Sequence, residues 1–151
     1  MNAYELCQRH VVTIRRHEEL STAAWMMRER NVGCLVVVDP VESSGGWLPV
    51  GLISDREIVT NVIARDCDPR TVLIDDVMEP HPVTVRDRAT LEDALQKMRA
   101  AKVRRVLVVD DAGRLAGLLS REDIFEHLTQ RATFSSPTPR RELRLVESAR
   151  L

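Results

Sequence analysis

Two segments of the chain carry apolar residues at the spacing of an amphipathic helix. Within each segment the apolar positions follow i, i+3, i+4 and i+7, which places them on one face of a helix. The positions are Leu20, Ala23, Ala24 and Met27 in the first segment and Leu91, Ala94, Leu95 and Met98 in the second. Each helix is followed by a short run rich in β-branched residues, at residues 34–38 and 106–109. Such runs predict buried strands.

The two halves of the chain are copies of one pattern. Matching residues lie 71 positions apart: Thr13 with Thr84, Leu20 with Leu91, Val32 with Val103, and Asp39 with Asp110. Farther along, Gly51 matches Gly117 at a separation of 66, because the first copy holds five additional residues within residues 40–49. That stretch is rich in Ser and Gly, which is typical of a surface loop that tolerates insertion.

Each copy therefore predicts an extended segment, a helix, two strands and a final helix. The extended segments are residues 11–14 and 83–85, the second strands 48–53 and 115–119, and the final helices 55–65 and 121–130. One copy of roughly 60 residues is marginal as an independent domain, so the two copies are expected to bury their apolar faces against each other. The predicted fold class is α+β, an α/β sandwich-like arrangement of two pseudo-symmetric βαββα repeats packed through their sheets.

The domain boundaries follow from this repeat. We assign residues 1–66 to the first repeat, residues 67–131 to the second, and residues 132–151 to a C-terminal tail. The tail contains prolines and several arginines interleaved with acids. It is expected to be a partly disordered segment or a docking segment for a neighbouring subunit.

Composition narrows the functional classes. Charged residues make up 30% of the chain but the net charge is −1, whereas a nucleic-acid-binding protein normally shows a basic excess. The longest uninterrupted apolar run, residues 34–38, is far too short to span a membrane. We therefore expect neither nucleic acid nor membrane as a partner.

The cysteines and histidines do not form a metal-binding or catalytic pattern. Three cysteines at wide spacing predict a reducing, cytoplasmic location, and Cys34, within a strand pattern, is expected to be a small buried apolar residue. The four histidines lack the spacing of metal ligands. No catalytic residue and no metal ligand is predicted. Trp25, beside the apolar face of the first helix, is expected to be half-buried.

A serine followed by an acid three residues later marks the start of each final helix. The pairs are Ser54 with Glu57 and Ser120 with Asp123, each preceded by an apolar strand end and a glycine. One interpretation is a capping box, in which the two side chains satisfy free backbone groups at a helix start. The other is a ligand site, because a helix start suits phosphate and a nearby carboxylate can accept hydrogen bonds from ribose hydroxyls.

These residues carry a family resemblance. The segments concerned are residues 31–39, 54–57, 76–78, 82–85, 102–110 and 120–123. Together they make residues 11–128 similar to a tandem pair of CBS domains (cystathionine β-synthase domains, the Bateman module), as in stand-alone bacterial CBS proteins. The resemblance implies that AMP, ADP, ATP or S-adenosylmethionine binds as a regulatory ligand between the repeats, with no cofactor required.

The resemblance also implies roles for individual residues. Ser120 would contact ribose or phosphate and Asp123 the ribose hydroxyls, and Ser54 and Glu57 would do the same in a second site. The remaining candidates are Thr84 and Thr13 near the base, and Arg104 and Arg105 at the phosphate. For the two arginines, a solvated turn or ordinary salt bridges remain an alternative. The resemblance further implies a homodimer formed through the helices and an effector protein of unknown identity.

Two departures from the family pattern keep a second function open. Val36 and Leu107 stand where the family usually has proline, and Glu57 stands where Asp is usual. The additional methylene of Glu57 moves its carboxylate by about 1.5 Å, so the Ser120/Asp123 site is the stronger expectation. The alternative is a ligand-free CBS pair that acts as an interaction scaffold. An enzyme is disfavoured, because no nucleophile or general base has an identifiable partner.

Overall fold

The computed structural model describes residues 1–134, which contain six α-helices, one 3₁₀ helix and seven strands. The helices are α1 (Ala3–Leu6), α2 (Leu20–Arg30), α3 (Asp55–Asn61), the 3₁₀ helix (Ile63–Arg65), α4 (Ile74–Val77), α5 (Leu91–Ala101) and α6 (Arg121–Phe134). The strands are β1 (Thr13–Arg15), β2 (Cys34–Pro40), β3 (Trp47–Ser54), β4 (Glu79–Pro80), β5 (Thr84–Arg86), β6 (Arg105–Val109) and β7 (Leu115–Ser120).

The strands form two sheets with matching topology. One sheet has the order β1-β2-β3-β4 and the other has the order β5-β6-β7. In each, the first strand runs parallel to the second and the second runs antiparallel to the third. A helix connects the two parallel strands, as a parallel crossover requires. The predicted α+β fold with two βαββα repeats is therefore confirmed.

The repeats pack through their sheets. Each repeat has its own apolar core, and a third cluster lies between the sheets. Val36 and Val38 of β2 meet Leu107 of β6 in this cluster, and all three side chains are almost completely buried. Burial of this kind stabilises by roughly 25 cal/mol per Å² of apolar surface. It explains why two marginal repeats form one domain.

Short segments cross between the repeats. Ala3 and Cys7 lie in the core of the second repeat, whereas Ile74 lies in the core of the first. The backbones of Gln8 and Leu118 exchange hydrogen bonds of 2.9 and 3.0 Å, and β4 pairs with β3 in the equivalent place. The segment preceding each repeat thus packs on the other repeat. The division at residue 66 stays a prediction, and packing joins the two copies across it.

The turns that follow α2 and α5 place the residues at the start of each central strand. Asn31 and Lys102 end these helices in the left-handed conformation, with φ of 51° and 55°. Their amides donate back to the last helical carbonyls, which is a standard way to end a helix. The chain then enters β2 or β6 immediately. As a result, Cys34 and Arg105 occupy equivalent positions at the starts of the two central strands.

Some details differ from the sequence-based expectations. The helix expected over residues 55–65 ends at Asn61 and continues as the 3₁₀ helix, and α6 extends beyond residue 130 to Phe134. Trp25 is 62% exposed, so the expectation of half-burial was wrong. It lies two positions from Ala23, away from the buried stripe. Most of the predicted tail, from residue 135 onward, lies outside the described residues, so its role stays a prediction. No helix within residues 1–134 is long and apolar enough to cross a membrane.

Candidate ligand clefts between the repeats

The turn at Ser120 is a complete capping box. One oxygen of the Asp123 carboxylate, Oδ2, accepts hydrogen bonds from the Ser120 amide at 3.0 Å and from its hydroxyl at 2.6 Å. The Asp123 amide donates to the Ser120 hydroxyl at 3.1 Å. The other carboxylate oxygen, Oδ1, accepts a single long bond of 3.4 Å from the Gln8 side chain. The capping interpretation is confirmed, and it leaves this second oxygen nearly unused.

The turn at Ser54 has the same geometry. The Ser54 amide and hydroxyl donate to Oε2 of Glu57 at 2.6 and 3.0 Å, and the Glu57 amide donates to the hydroxyl at 3.4 Å. Within residues 1–134, Oε1 of Glu57 accepts no hydrogen bond. The longer side chain of Glu57 therefore still reaches the position that Asp123 occupies in the other repeat.

Each turn borders a cleft between the repeats. The Ser120 cleft has a volume of about 410 Å³ and the Ser54 cleft about 480 Å³. The Ser120 cleft is lined by Gln8, His10, Val11, Val12, Val32, Gly33, Cys34, Arg105, Leu118, Ser120, Glu122 and Asp123. The Ser54 cleft is lined by Cys34, Leu52, Ser54, Arg56, Glu57, Glu79, His81, Pro82, Val83, Lys102, Val103, Arg104 and Arg105.

The two clefts are related by the internal repeat. In the Ser120 cleft, the turn of the second repeat faces Val12 and Gly33 of the first repeat, which directly precede β1 and β2. We call the positions at the start of these strands, and of β5 and β6 in the second repeat, the strand entrances. In the Ser54 cleft, the turn of the first repeat lies with Val83 and Arg104 of the second. A ligand in either cleft would therefore contact both repeats at once.

The clefts differ in charge. The Ser54 cleft contains the cations Arg56, Lys102, Arg104 and Arg105 and the anions Glu57 and Glu79. The Ser120 cleft contains the cation Arg105 and the anions Glu122 and Asp123. Opposite charges lower the energy of a bound ion at such short range, and like charges raise it. The lining of the Ser54 cleft thus carries a net positive charge and that of the Ser120 cleft a net negative one.

Arg104 and Arg105 differ in their partners. Arg104 forms an ion pair of 2.7 Å with Glu122, in which both side chains are more than half exposed. A hydrogen bond from its own backbone amide, together with Arg104, lowers the pKa of Glu122. Within the described chain, the Arg105 guanidinium forms no hydrogen bond or ion pair. It is therefore available to a ligand in either cleft.

Cys34 lies at the junction of the two clefts and lines both. Burial raises the pKa of its thiol to about 11, and the positive charge of Arg105 opposes this rise. The expectation that Cys34 is simply a small buried apolar residue was wrong, because its side chain borders the clefts at intermediate burial.

Six of the eight residues expected at ligand sites line one or both of the two clefts. These are Ser120, Asp123, Ser54, Glu57, Arg104 and Arg105. Thr13 and Thr84 lie on β1 and β5 beside the central strands and do not line either cleft. Their contact with a base stays a prediction.

Sequence reasoning missed other lining residues. Gln8 and His10 line the Ser120 cleft, and Glu79 and His81 line the Ser54 cleft. The separation of 71 that relates the repeats also relates these pairs, so the repeat itself held the signal. Among residues 1–134, no group of three or more His, Cys, Asp or Glu side chains could hold a metal ion.

The fold and the paired clefts define a class of protein: tandem-repeat modules with ligand-sized sites between two α+β units. The family model for the CBS domain matches residues 3–64 and 74–130. The chain belongs to the CBS-domain family, as its resemblance predicted.

Relatives and solved structures agree with this membership. Hypoxic response protein 1 of Mycobacterium tuberculosis is 31% identical over 130 residues, which cover 86% of this chain and 87% of that protein. An uncharacterised protein of Methanopyrus kandleri is 30% identical over 122 residues, 81% of this chain but only 60% of that protein.

Two solved structures share the fold. Hypoxic Response Protein I with two coordinated zinc ions gives a TM-score of 0.70 at 28% identity, covering 84% of this chain and 98% of that one. The CBS domain pair of protein MJ0100, in complex with 5′-methylthioadenosine and S-adenosyl-L-methionine, gives a TM-score of 0.69 at 22% identity. Here 85% of this chain and 99% of that chain are covered.

Proposed function

We propose that this chain is a regulatory module, not an enzyme, that senses an adenosine-containing ligand in the clefts between its CBS repeats. The ligand would be AMP, ADP, ATP or S-adenosylmethionine. One observation carries the proposal: in each cleft a serine–carboxylate turn of one repeat lies together with the strand entrances of the other. The CBS pair of MJ0100 holds ligands of this chemical class, which supports the same use of the shared fold.

The unused carboxylate oxygens support ribose binding. A ribose presents two adjacent hydroxyl donors, and an acidic side chain can accept hydrogen bonds from both. Oε1 of Glu57 accepts no hydrogen bond within the described residues, and Oδ1 of Asp123 accepts only the long bond from Gln8. Ligand binding would therefore use acceptor capacity that the capping boxes leave free.

The packing of the two repeats offers a way to transmit ligand binding to a partner protein. A ligand that contacts both repeats favours the arrangement of the repeats in which its affinity is highest. A partner protein that binds one arrangement better than the other would then respond to ligand concentration. We propose that this partner is a separate effector protein in the cytoplasm.

We also propose that the chain forms a homodimer through its helices. Val59 and Ile63 are 56% and 55% exposed, and Phe125 and Leu128 of α6 are 49% and 47% exposed. Val59 and Phe125 are equivalent in the two repeats, 66 positions apart. Large apolar side chains exposed on matching elements mark an interaction surface.

A ligand-free scaffold is the second candidate. Both capping boxes are complete within the protein itself, so neither turn requires a ligand for its stability. The absence of the family's proline at Val36 and Leu107 also favours this alternative.

A thermal-shift titration distinguishes the two candidates. Protein shown to be free of nucleotide would be titrated with AMP, ADP, ATP, NAD and S-adenosylmethionine. A ligand at a hundredfold excess over its Kd stabilises the folded state by about 2.7 kcal/mol. The double variant Glu57→Gln/Asp123→Asn should abolish the shift, whereas Asp111→Asn, an exposed acid outside both clefts, should retain it. No shift with any of these ligands would favour the scaffold.

A further inference from the structure

Equivalent positions of the two clefts carry different charges. Arg104 and Arg105 stand in the second repeat where Gly33 and Cys34 stand in the first. Likewise, Lys102 stands where the first repeat has Asn31. The additional basic residues thus lie at one strand entrance, that of the second repeat. This entrance lines the Ser54 cleft, and only Arg105 also reaches the Ser120 cleft.

We propose that the clefts divide ligands by charge. The Ser54 cleft takes an adenosine ligand that carries phosphate, and the Ser120 cleft takes one whose substituent is uncharged or cationic. This inference rests on the proposed function, because it assigns ligand classes to the clefts of that function. It gives each cleft its own ligand class, whereas the expectation from sequence only ranked the Ser120/Asp123 site above the Ser54/Glu57 site.

The chemistry of the Ser54 cleft fits a phosphate group. Guanidinium groups form paired, charge-assisted hydrogen bonds with phosphate oxygens. Arg105 has no partner within residues 1–134, so its donors are free. Among the described residues, the Arg104 side chain pairs only with the exposed Glu122, and pairs of this type contribute little to stability. A phosphate can therefore recruit both arginines at small cost.

The chemistry of the Ser120 cleft fits a different substituent. Glu122 and Asp123 both line it, and the lowered pKa of Glu122 keeps that side chain ionised at neutral pH. The Asp123 carboxylate repels a phosphate and attracts a cation such as a sulfonium, and the Glu122 carboxylate adds to this effect once a phosphate in the Ser54 cleft draws Arg104 away from it. When a phosphate occupies the Ser54 cleft it engages Arg105, so the Ser120 cleft loses its positive charge. Occupation of the two clefts is thus linked through one side chain.

Calorimetric titration with adenosine, AMP, ADP, ATP and S-adenosylmethionine tests this division. We expect affinity to rise from adenosine to ATP in the wild-type protein, and to fall with added salt. The double variant Arg104→Gln/Arg105→Gln should weaken ATP binding by about tenfold or more, the effect of losing at least about 1.4 kcal/mol. Adenosine affinity should change by less than about twofold, because adenosine carries no phosphate for the two arginines to bind.

Matched variants complete the experiment. Arg28→Gln/Arg30→Gln removes the same charge from exposed positions on α2 outside both clefts and should leave ATP binding unchanged. Asp123→Asn should weaken S-adenosylmethionine binding far more than ATP binding. ATP binding that is lost in Asp123→Asn but retained in the double arginine variant would overturn the division and leave the proposed function intact. The absence of binding by every adenosine ligand would overturn both.

Discussion

At the scale of single residues, the most informative position is the start of the central strand. Cys34 and Arg105 are equivalent by the repeat, and each lines both clefts. The thiol is small and neutral, whereas the guanidinium is long and charged. Because both residues line both clefts, the difference in charge comes from their neighbours Lys102 and Arg104, which line only the Ser54 cleft.

The raised pKa of Cys34 gives a prediction about its reactivity. The thiolate is the form that reacts with alkylating reagents, and a pKa of about 11 keeps Cys34 protonated at neutral pH. We expect iodoacetamide to label Cys34 slowly at pH 7 and faster as the pH rises toward 11, as measured by peptide mass spectrometry. A ligand that occupies either cleft should slow the labelling further.

The same protein contains the control for this measurement. Cys67 is exposed and lies outside both clefts, so adenosine ligands should leave its labelling rate unchanged. If Cys34 reacted as fast as Cys67 at pH 7, the assignment of a protonated, shielded thiol would be wrong.

Sequence alone predicted some residues correctly and others incorrectly for physical reasons. The capping pairs at Ser54 and Ser120 were predictable because capping depends on residues three positions apart. Trp25 and Cys34 were mispredicted, because burial depends on which elements lie opposite. A helical stripe indicates one buried face but does not show where its edge falls, and Trp25 lies beyond that edge.

At the scale of elements, the segments before each repeat hold the two halves together. α1 continues into the bridge between Gln8 and Leu118, and α4 continues into β4, which pairs with β3. Each segment runs close over a glycine of the strand that it pairs with, Gly117 of β7 or Gly51 of β3. A Cβ at Gly117 would lie 2.9 Å from the Gln8 carbonyl and would overlap Cys7 Sγ, and a Cβ at Gly51 would lie 2.9 Å from the Glu79 carbonyl.

We predict that Gly117→Ala destabilises the protein, because the added methyl group cannot fit between β7 and the segment at Gln8. Overpacking of this kind costs about 1–3 kcal/mol. The free energy of unfolding would be measured by urea denaturation, and hydrogen exchange should show reduced protection of the Gln8 amide, which donates to Leu118 at 2.9 Å.

Two further glycine variants test this explanation. Gly51→Ala should have a similar cost, since it meets backbone in the equivalent place. Gly33→Ala should cost less, because the nearest atom to its Cβ is a side-chain oxygen of Asp55 at 3.1 Å, which can move. Equal costs for Gly117→Ala and Gly33→Ala would contradict the role of the close approach.

The longer elements were predictable from sequence and the shortest were not. α2 and α5 each bury part of an apolar stripe, and β2 and β6 are built around the apolar runs 34–38 and 106–109. α1 and α4 have four residues each, which is too short for a helical period to appear. Their existence depends on tertiary packing, because helices of this length are unstable alone.

At the scale of the whole molecule, the internal repeat accounts for most of the architecture. Two copies of one unit bury Val36, Val38 and Leu107 between their sheets. Pseudo-symmetry then creates two clefts in place of one. The repeat predicted this arrangement, but the charge of each cleft depends on which strand entrance lies beside which turn. That pairing is set by packing across the repeats and could not be inferred from either copy alone.

The proposed homodimer gives the prediction at this scale. Phe125 is 49% exposed, so Phe125→Glu should cost the monomer little, yet it would place a charge in an apolar interface. Burying an unpaired charge is strongly unfavourable. We expect light scattering to give twice the chain mass for the wild-type protein and the chain mass for Phe125→Glu. Because association stabilises the folded state by mass action, the Tm of the wild type should rise with protein concentration and that of the variant should not.

Trp25→Gln, which replaces a more exposed aromatic residue on α2, should remain dimeric. If Phe125→Glu kept the dimer mass, α6 would not form the interface, and the exposed Val59 and Ile63 of the first repeat would be the next positions to substitute.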